Sequence, residues 1–146
     1  MPTFNQKNLR KGRCSQEHQI YHIITTTANH QPLLTDFYLA RKIINTIKQS
    51  DTLGYTTTLA FVIMPDHIHW LMQLEDKATL QQVIRSMKSQ TAKAIGKPTW
   101  QSGYYDHAIR KDEDIVNIAR YIIANPIRAG LVKRVGDYPN WHAVYL

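Results

Sequence analysis

The segment that most constrains the fold of this 146-residue chain is a pair of strand patterns on either side of a proline. Residues 55–64 are rich in β-branched and aromatic side chains, and residues 67–74 alternate between the two faces of a strand. Pro65 and Asp66 separate them, and a proline has no N–H to donate to a strand ladder. The pattern therefore predicts an antiparallel hairpin that turns at Pro65-Asp66.

Helix and strand patterns alternate around this hairpin. The other predicted elements are a strand over 22–27, a helix capped by Thr35, a helix over 79–96, a short strand over 104–110, a helix capped by Asp112 and a helical turn over 127–134. The order β-α-β-β-α-β predicts an α+β, ferredoxin-like antiparallel sheet with helices on one face, followed by a C-terminal helix. The length predicts a single domain over 1–146, with 1–19 as a basic arm or loop.

Composition narrows the classes of function. Lys and Arg exceed Asp and Glu by 18 − 11, a net charge of +7, which favours an anionic partner such as nucleic acid. The single cysteine, Cys14, excludes an intramolecular disulfide framework and Cys-rich zinc sites. No apolar run reaches the length of a membrane span, and the first residues do not resemble a secretory signal. These features predict a cytoplasmic protein that does not associate with membranes.

The pair His67 and His69 is the sharpest local feature. Alternation along a strand places both imidazoles on the same face, where they could share a metal ion or act as ordinary structural histidines. A metallo-β-lactamase pattern would need Asp and His at 71–72, and a cupin would need Glu at 73 or 74. Neither requirement is met, and an amidohydrolase barrel needs a far longer chain.

A second feature lies on the last predicted helix. Tyr121 borders its apolar stripe, and Asn125 follows one helical turn later on the same face. A hydroxyl and an amide oxygen would therefore converge at the rim of the core, which suits a nucleophile beside a metal ligand. The same residues could instead be a tyrosine packed at the core edge and an asparagine that ends the helix before Pro126.

Three ordered segments resemble one family. The first, 61–71, contains His67-Ile68-His69 and resembles the HUH motif, in which a large hydrophobic residue separates two histidines. This motif is typical of the single-tyrosine, IS200-like transposases. Residues 100–110 and 121–132 are similar to segments that mark one branch, the REP-associated tyrosine transposases. With the opening residues 9–13, the resemblance extends over 9–142.

The resemblance implies a metal-dependent reaction at a phosphodiester. His67 and His69 match the paired metal ligands, Asn125 matches the third ligand, and Mg²⁺ or Mn²⁺ is the implied cation. Tyr121 matches the nucleophile, which would form a 5′-phosphotyrosine intermediate and free a 3′-OH. The implied activity is endonuclease and strand transfer on single-stranded DNA. His107 could serve as the base for Tyr121 or be a structural histidine.

The implied substrate is single-stranded DNA with a REP-like hairpin. Basic residues that could contact phosphates are Arg10, Lys11, Arg13, Arg85, Lys88, Lys93, Lys97 and Arg128. Aromatic residues that could stack on unpaired bases are Trp100, Tyr104 and Tyr105. The REP-associated branch implies a monomer, whereas insertion-sequence relatives are dimers. The alternatives are a domesticated, catalytically idle hairpin-binding protein and a metal-dependent RNA-processing enzyme.

Overall fold

A five-stranded antiparallel sheet organises the protein. The computed structural model describes residues 18–111 and 113–144. Its elements are β1 (Ile20–Thr26), α1 (Phe37–Thr52), β2 (Thr56–Ile63), β3 (His67–Leu74), α2 (Leu80–Ile95), β4 (Tyr105–Ala108), α3 (Ile115–Ile123), α4 (Asn125–Arg128) and β5 (Trp141–Ala143). The strand order is β4-β1-β3-β2-β5, and every neighbouring pair is antiparallel.

The predicted α+β class and antiparallel sheet are confirmed. Strands β1 to β4 have the order expected of a ferredoxin-like sheet, and β5 extends it beyond β2. The sequence analysis missed β5, because three residues are too few to display an alternating pattern. The predicted hairpin is present: the Met64 N–H donates to the carbonyl of His67 at 2.8 Å and closes the turn. Strand β3 lies between β1 and β2 at the centre of the sheet.

The sheet has an apolar layer on each face. Helices α1 and α2 share one layer with Ile23 and Trp70, whose side chains are fully buried. On the opposite layer, Ile122 of α3 packs with Val62 and Leu71. The first two helices therefore cover one face as predicted, and the third covers the other. Because neighbours in a strand point to opposite faces, the residues of β3 that alternate with Trp70 point toward the layer of α3.

At the N-termini of α1 and α3 the capping residue differs from the one that the sequence predicts. The carboxylate of Asp36 accepts a hydrogen bond from the Leu39 N–H at 3.0 Å and begins α1. The prediction of Thr35 as this cap was wrong, because its hydroxyl donates to the carbonyl of Pro32 at 3.0 Å. At α3 the cap is Asp114, and the predicted cap Asp112 lies outside the described residues.

Helix α2 has the boundaries that its sequence predicts. Thr79 and Gln82 form a reciprocal capping box at its start. Gly96 follows its last residue with φ of 80°, a left-handed conformation that glycine adopts without a steric penalty. The basic residues Arg10, Lys11 and Arg13 lie outside the described residues. In the part of the chain that is described, no helix is long and apolar enough to cross a membrane.

Candidate metal and nucleophile site

Strand β3 presents His67 and His69 on the sheet face that α3 covers. Their ring centroids are 5.0 Å apart, and the planes meet at 71°. The side chain of His67 is 27% exposed, whereas His69 is only 6% exposed. His67 therefore lies at the exposed end of the pair, next to the turn, and His69 lies deeper, in the layer that α3 covers. The predicted shared face of the two histidines is confirmed.

Each of these imidazoles already has a partner at Nδ1. The Nδ1 of His67 lies 2.7 Å from Oδ1 of Asp66. The Nδ1 of His69 lies 2.9 Å from Nε2 of His22 on β1. In both rings, Nε2 is consequently the nitrogen left for a ligand. Metal-bound histidines in proteins commonly have this arrangement, with the second ring nitrogen bonded to a neighbouring group that fixes the ring.

Burial keeps the inner histidines neutral. It lowers the pKa of His69 to about 3, with further lowering by the nearby charges of His22, His67 and Arg128. Burial likewise lowers the pKa of His22 to about 4, and His107 adds to this effect. Both rings are therefore uncharged at neutral pH. A neutral imidazole is the form that donates a lone pair to a metal ion.

Helix α3 places Tyr121 in solvent beside an arginine. The tyrosine is 57% exposed, and the guanidinium carbon of Arg128 lies 3.8 Å from the centre of its ring. Nη2 of Arg128 also donates to the carbonyl of Tyr121 at 2.8 Å. The charge of Arg128 is also the smallest of the causes that lower the pKa of His69. Tyr121 and Arg128 thus form one contact pair, and the helix of Tyr121 packs on the sheet face that carries the histidines.

Asn125 lies at the junction of α3 and α4. Its Nδ2 donates to the carbonyl of Ile122 at 2.8 Å, so the amide oxygen is the atom available to a ligand. Among residues 18–111 and 113–144, no three His, Cys, Asp or Glu side chains are grouped to hold a metal ion. Two imidazole nitrogens and one amide oxygen nevertheless form a donor set compatible with Mn²⁺, and with Mg²⁺ if water completes the coordination. The residues present thus fit the implied cation.

His107 has a local partner on the same face. Its Nε2 lies 3.0 Å and 3.1 Å from the two carboxylate oxygens of Glu113. This contact ties β4 to the loop before α3, which is the structural role that the sequence left open. As the base for Tyr121, His107 would have to act through its other ring nitrogen, and this assignment stays a prediction.

The four predicted phosphate contacts on α2 and just after it do not line a single groove. Arg85 and Lys88 line a groove of about 840 Å³ between α2 and residues 98–104. Lys97 lines a separate cleft, and Lys93 is exposed. Lys88 is half-buried, and its Nζ donates to the carbonyls of Gln101 and Gly103. This lysine is therefore part of the loop structure as well as of the groove, and burial lowers its pKa.

The predicted stacking residues are partly buried. Trp100 and Tyr104 pack against the layer of α1 and α2, and the Trp100 indole N–H donates to the hydroxyl of Thr91 at 2.8 Å. Tyr105 lies edge-on to the ring of His22, with 6.1 Å between centroids. Trp100 and Tyr104 nevertheless line the same groove as Arg85, so part of each ring is accessible from it.

The sequence analysis missed His22. Its place in β1 gave one signal: residues 20, 22 and 24 alternate with the buried Tyr21 and Ile23 and so share a face. What the sequence does not contain is the register that pairs β1 with β3, which brings His22 to a partner 47 residues away.

Comparison with known proteins supports the resemblance. Residues 15–125 match the family model of IS200-like transposases, and the chain belongs to this family. It is 32% identical over 111 residues to the REP-associated tyrosine transposase of Escherichia coli K12. The aligned region covers 75% of this chain and 66% of that protein. A candidate REP-associated tyrosine transposase of Haemophilus influenzae is 34% identical, with 56% of each chain covered. The chain thus spans 66% and 56% of the lengths of these relatives.

Solved structures agree. A REP-associated tyrosine transposase bound to a REP hairpin superposes with a TM-score of 0.76 at 26% identity, covering 88% of this chain and 79% of that one. A candidate transposase from Deinococcus radiodurans superposes with a TM-score of 0.54 at 18% identity, covering 73% of this chain and 91% of the other. The second likeness shows a shared fold, and the first agrees with the branch that the sequence motifs indicate.

Proposed function

We propose that this protein is a metal-dependent endonuclease and strand transferase of single-stranded DNA that acts beside a hairpin. The observation that carries the proposal is the site on β3: His67 and His69 each have Nδ1 engaged and Nε2 available, on the face covered by the helix of Tyr121. The hairpin is proposed because a similar structure has a REP hairpin bound. The net charge of +7 also favours an anionic substrate.

The proposed roles follow from the chemistry of each side chain. Nε2 of His67, Nε2 of His69 and the amide oxygen of Asn125 would hold Mg²⁺ or Mn²⁺. When bound, such a cation stabilises negative charge on the phosphoryl oxygens and orients the scissile bond. Arg128 adds a fixed positive charge next to Tyr121, where the phosphate would lie.

Tyr121 is the proposed nucleophile. Its phenolic oxygen attacks phosphorus as the phenol loses its proton, and the bond from phosphorus to the 3′-oxygen of the preceding nucleotide breaks. The products are a 5′-phosphotyrosine linkage and a free 3′-OH, which takes up a proton. A second 3′-OH can then attack the linkage and release Tyr121, so strands are rejoined without an external energy source.

The test is capture of a covalent protein–DNA adduct. Purified protein is mixed with hairpin DNA that has randomised single-stranded flanks, with Mn²⁺ or with EDTA, and SDS-resistant adducts are sequenced. We expect adducts in Mn²⁺ and none in EDTA. Tyr121→Phe should abolish the adduct and retain hairpin binding. Tyr38→Phe is the matched control, because Tyr38 is 81% exposed on α1. Loss of its hydroxyl should change neither adduct formation nor hairpin binding.

Other outcomes would contradict the proposal in distinct ways. Adducts that persist in Tyr121→Phe would show that another residue is the nucleophile. Enrichment of one hairpin without any adduct would favour an idle DNA-binding protein. Cleavage without an adduct would favour a hydrolytic nuclease.

A further inference from the structure

We propose that His22 is a positioning residue that sets the tautomer and orientation of His69 for metal binding. The inference deepens the proposed function and rests on it, because the orientation of His69 matters only if its Nε2 receives a ligand. Neither the sequence motif nor the match to the family assigns a role to His22.

The contact between the two rings is specific. Nε2 of His22 lies 2.9 Å from Nδ1 of His69, and the rings are stacked with centroids 5.2 Å apart and planes at 26°. His69 is 6% exposed, so its ring has little room to rotate, and water has little access to replace the partner. The hydrogen bond therefore engages Nδ1 of His69 and leaves its Nε2 on the opposite side of the ring from His22.

The direction of this hydrogen bond follows from the lone pair that a metal needs. If Nε2 of His69 is a ligand, then the ring's proton is on Nδ1, and Nε2 of His22 accepts it. His22 must then have its own proton on Nδ1. An acceptor nitrogen carries a lone pair and no proton, so Nε2 of His22 can accept only in this tautomer.

His22 does for His69 what Asp66 does for His67. The carboxylate of Asp66 accepts at 2.7 Å near the exposed end of the pair, where a charge remains partly solvated. A second carboxylate at the buried end would incur a large desolvation cost. A neutral imidazole at this position fixes His69 without placing another charge inside the site.

The fold in turn holds His22. In the register of the sheet, His22 is opposite Leu71 on β3 and opposite His107 on β4. It thus lies diagonally across from His69, two residues along β3, which is within reach of a long side chain. The ring of Tyr105 contacts it edge-on at 6.1 Å from the other side. These contacts limit the rotamers of His22.

The experiment measures metal affinity and the histidine tautomer separately. Mn²⁺ is titrated into wild type, His22→Phe and His22→Gln by calorimetry, and the ring nitrogens of His69 are observed by ¹⁵N NMR in the metal-free proteins. We expect His22→Phe to weaken Mn²⁺ binding by about 10- to 100-fold. We also expect His69 to lose its preference for the Nδ1–H tautomer. His22→Gln, with an amide oxygen that can accept, should retain most of both properties.

The control is His142→Phe, which makes the same substitution on the same sheet. His142 lies on β5 beside Phe61, in the layer away from the histidine pair, so Mn²⁺ affinity should not change. The inference is overturned if His22→Phe binds Mn²⁺ as wild type does, or if wild-type His69 has its proton on Nε2. The second result applies even if His22→Phe fails to fold.

Failure of the proposed function looks different. If wild type does not bind Mn²⁺, the proposed metal chemistry fails. The NMR tautomer of His69 in wild type and in His22→Gln still decides whether His22 fixes that ring.

Discussion

Arg128 shows how one residue can hold a candidate nucleophile in place. Its guanidinium lies over the ring of Tyr121 and also donates to the backbone of that residue. A cation over an exposed aromatic ring contributes about 0.5–1 kcal/mol. We therefore expect Arg128→Ala to lower the free energy of unfolding by about this amount, as measured by urea denaturation.

Arg120→Ala is the matched control for this prediction. Arg120 is exposed on α3, the helix of Tyr121, and contacts no aromatic ring of the described residues, so its loss should change stability by less. Equal effects of the two substitutions would mean that the contact with Tyr121 contributes nothing to stability.

At the residue scale, the sequence predicts which side chains share a face, because the periods of strands and helices determine it. His67 and His69 share a face because strand residues alternate, and Asn125 reaches the last turn of α3 because four residues make one helical turn. His22 could not be assigned in this way. Its contact depends on the pairing of β1 with β3, and register depends on the whole sheet.

Among the elements, the junction of α1 and β2 depends on one carboxylate. Oδ1 of Asp51 accepts from the hydroxyls of Thr56 at 2.6 Å and Thr58 at 2.9 Å, and Oδ2 accepts from the Thr58 N–H at 3.1 Å. Both threonines are buried, at 2% and 8% exposure. Asp51→Ala would leave the hydroxyl and N–H of Thr58 without this acceptor and the hydroxyl of Thr56 with Ser50 as its remaining partner, and we expect a loss of about 1–3 kcal/mol in the free energy of unfolding.

Denaturation of Asp51→Ala can be compared with that of Asp76→Ala. Asp76 is exposed, so its removal should leave the denaturation midpoint nearly unchanged. If both variants unfold at the same urea concentration, then the Asp51 carboxylate does not stabilise the junction.

Element boundaries were predictable where a local motif determines them. The box of Thr79 and Gln82 and the glycine at 96 set the limits of α2 within the chain itself. At α1 two adjacent residues, Thr35 and Asp36, can both cap a helix, and the preceding turn decides between them. Strand β5 exists only through pairing with β2, so no local pattern indicates it.

For the molecule as a whole, charge should govern DNA affinity. A chain with a net charge of +7 that contacts phosphates releases counterions when it binds, so affinity should fall as salt rises. Within the groove beside α2, Arg85 is exposed, and the described residues contain no salt bridge to it within 4.0 Å. We expect Arg85→Gln to reduce the slope of log affinity against log salt by about 1 for hairpin DNA, with no change in Tm.

Lys88 lines the same groove but should behave differently. Its Nζ donates hydrogen bonds to the carbonyls of Gln101 and Gly103, in the loop beside the groove. Lys88→Gln removes the ammonium group that makes these bonds. We expect Lys88→Gln to lower Tm as well as DNA affinity, whereas Lys48→Gln, an exposed lysine on α1 outside the groove, should change neither. Fluorescence anisotropy with a labelled hairpin at several salt concentrations, with thermal unfolding of each variant, separates the two effects. If the salt slope of Arg85→Gln equals that of wild type, then the DNA phosphates lie elsewhere. An arginine that contacts a phosphate contributes to counterion release, so its replacement by a neutral residue changes the slope.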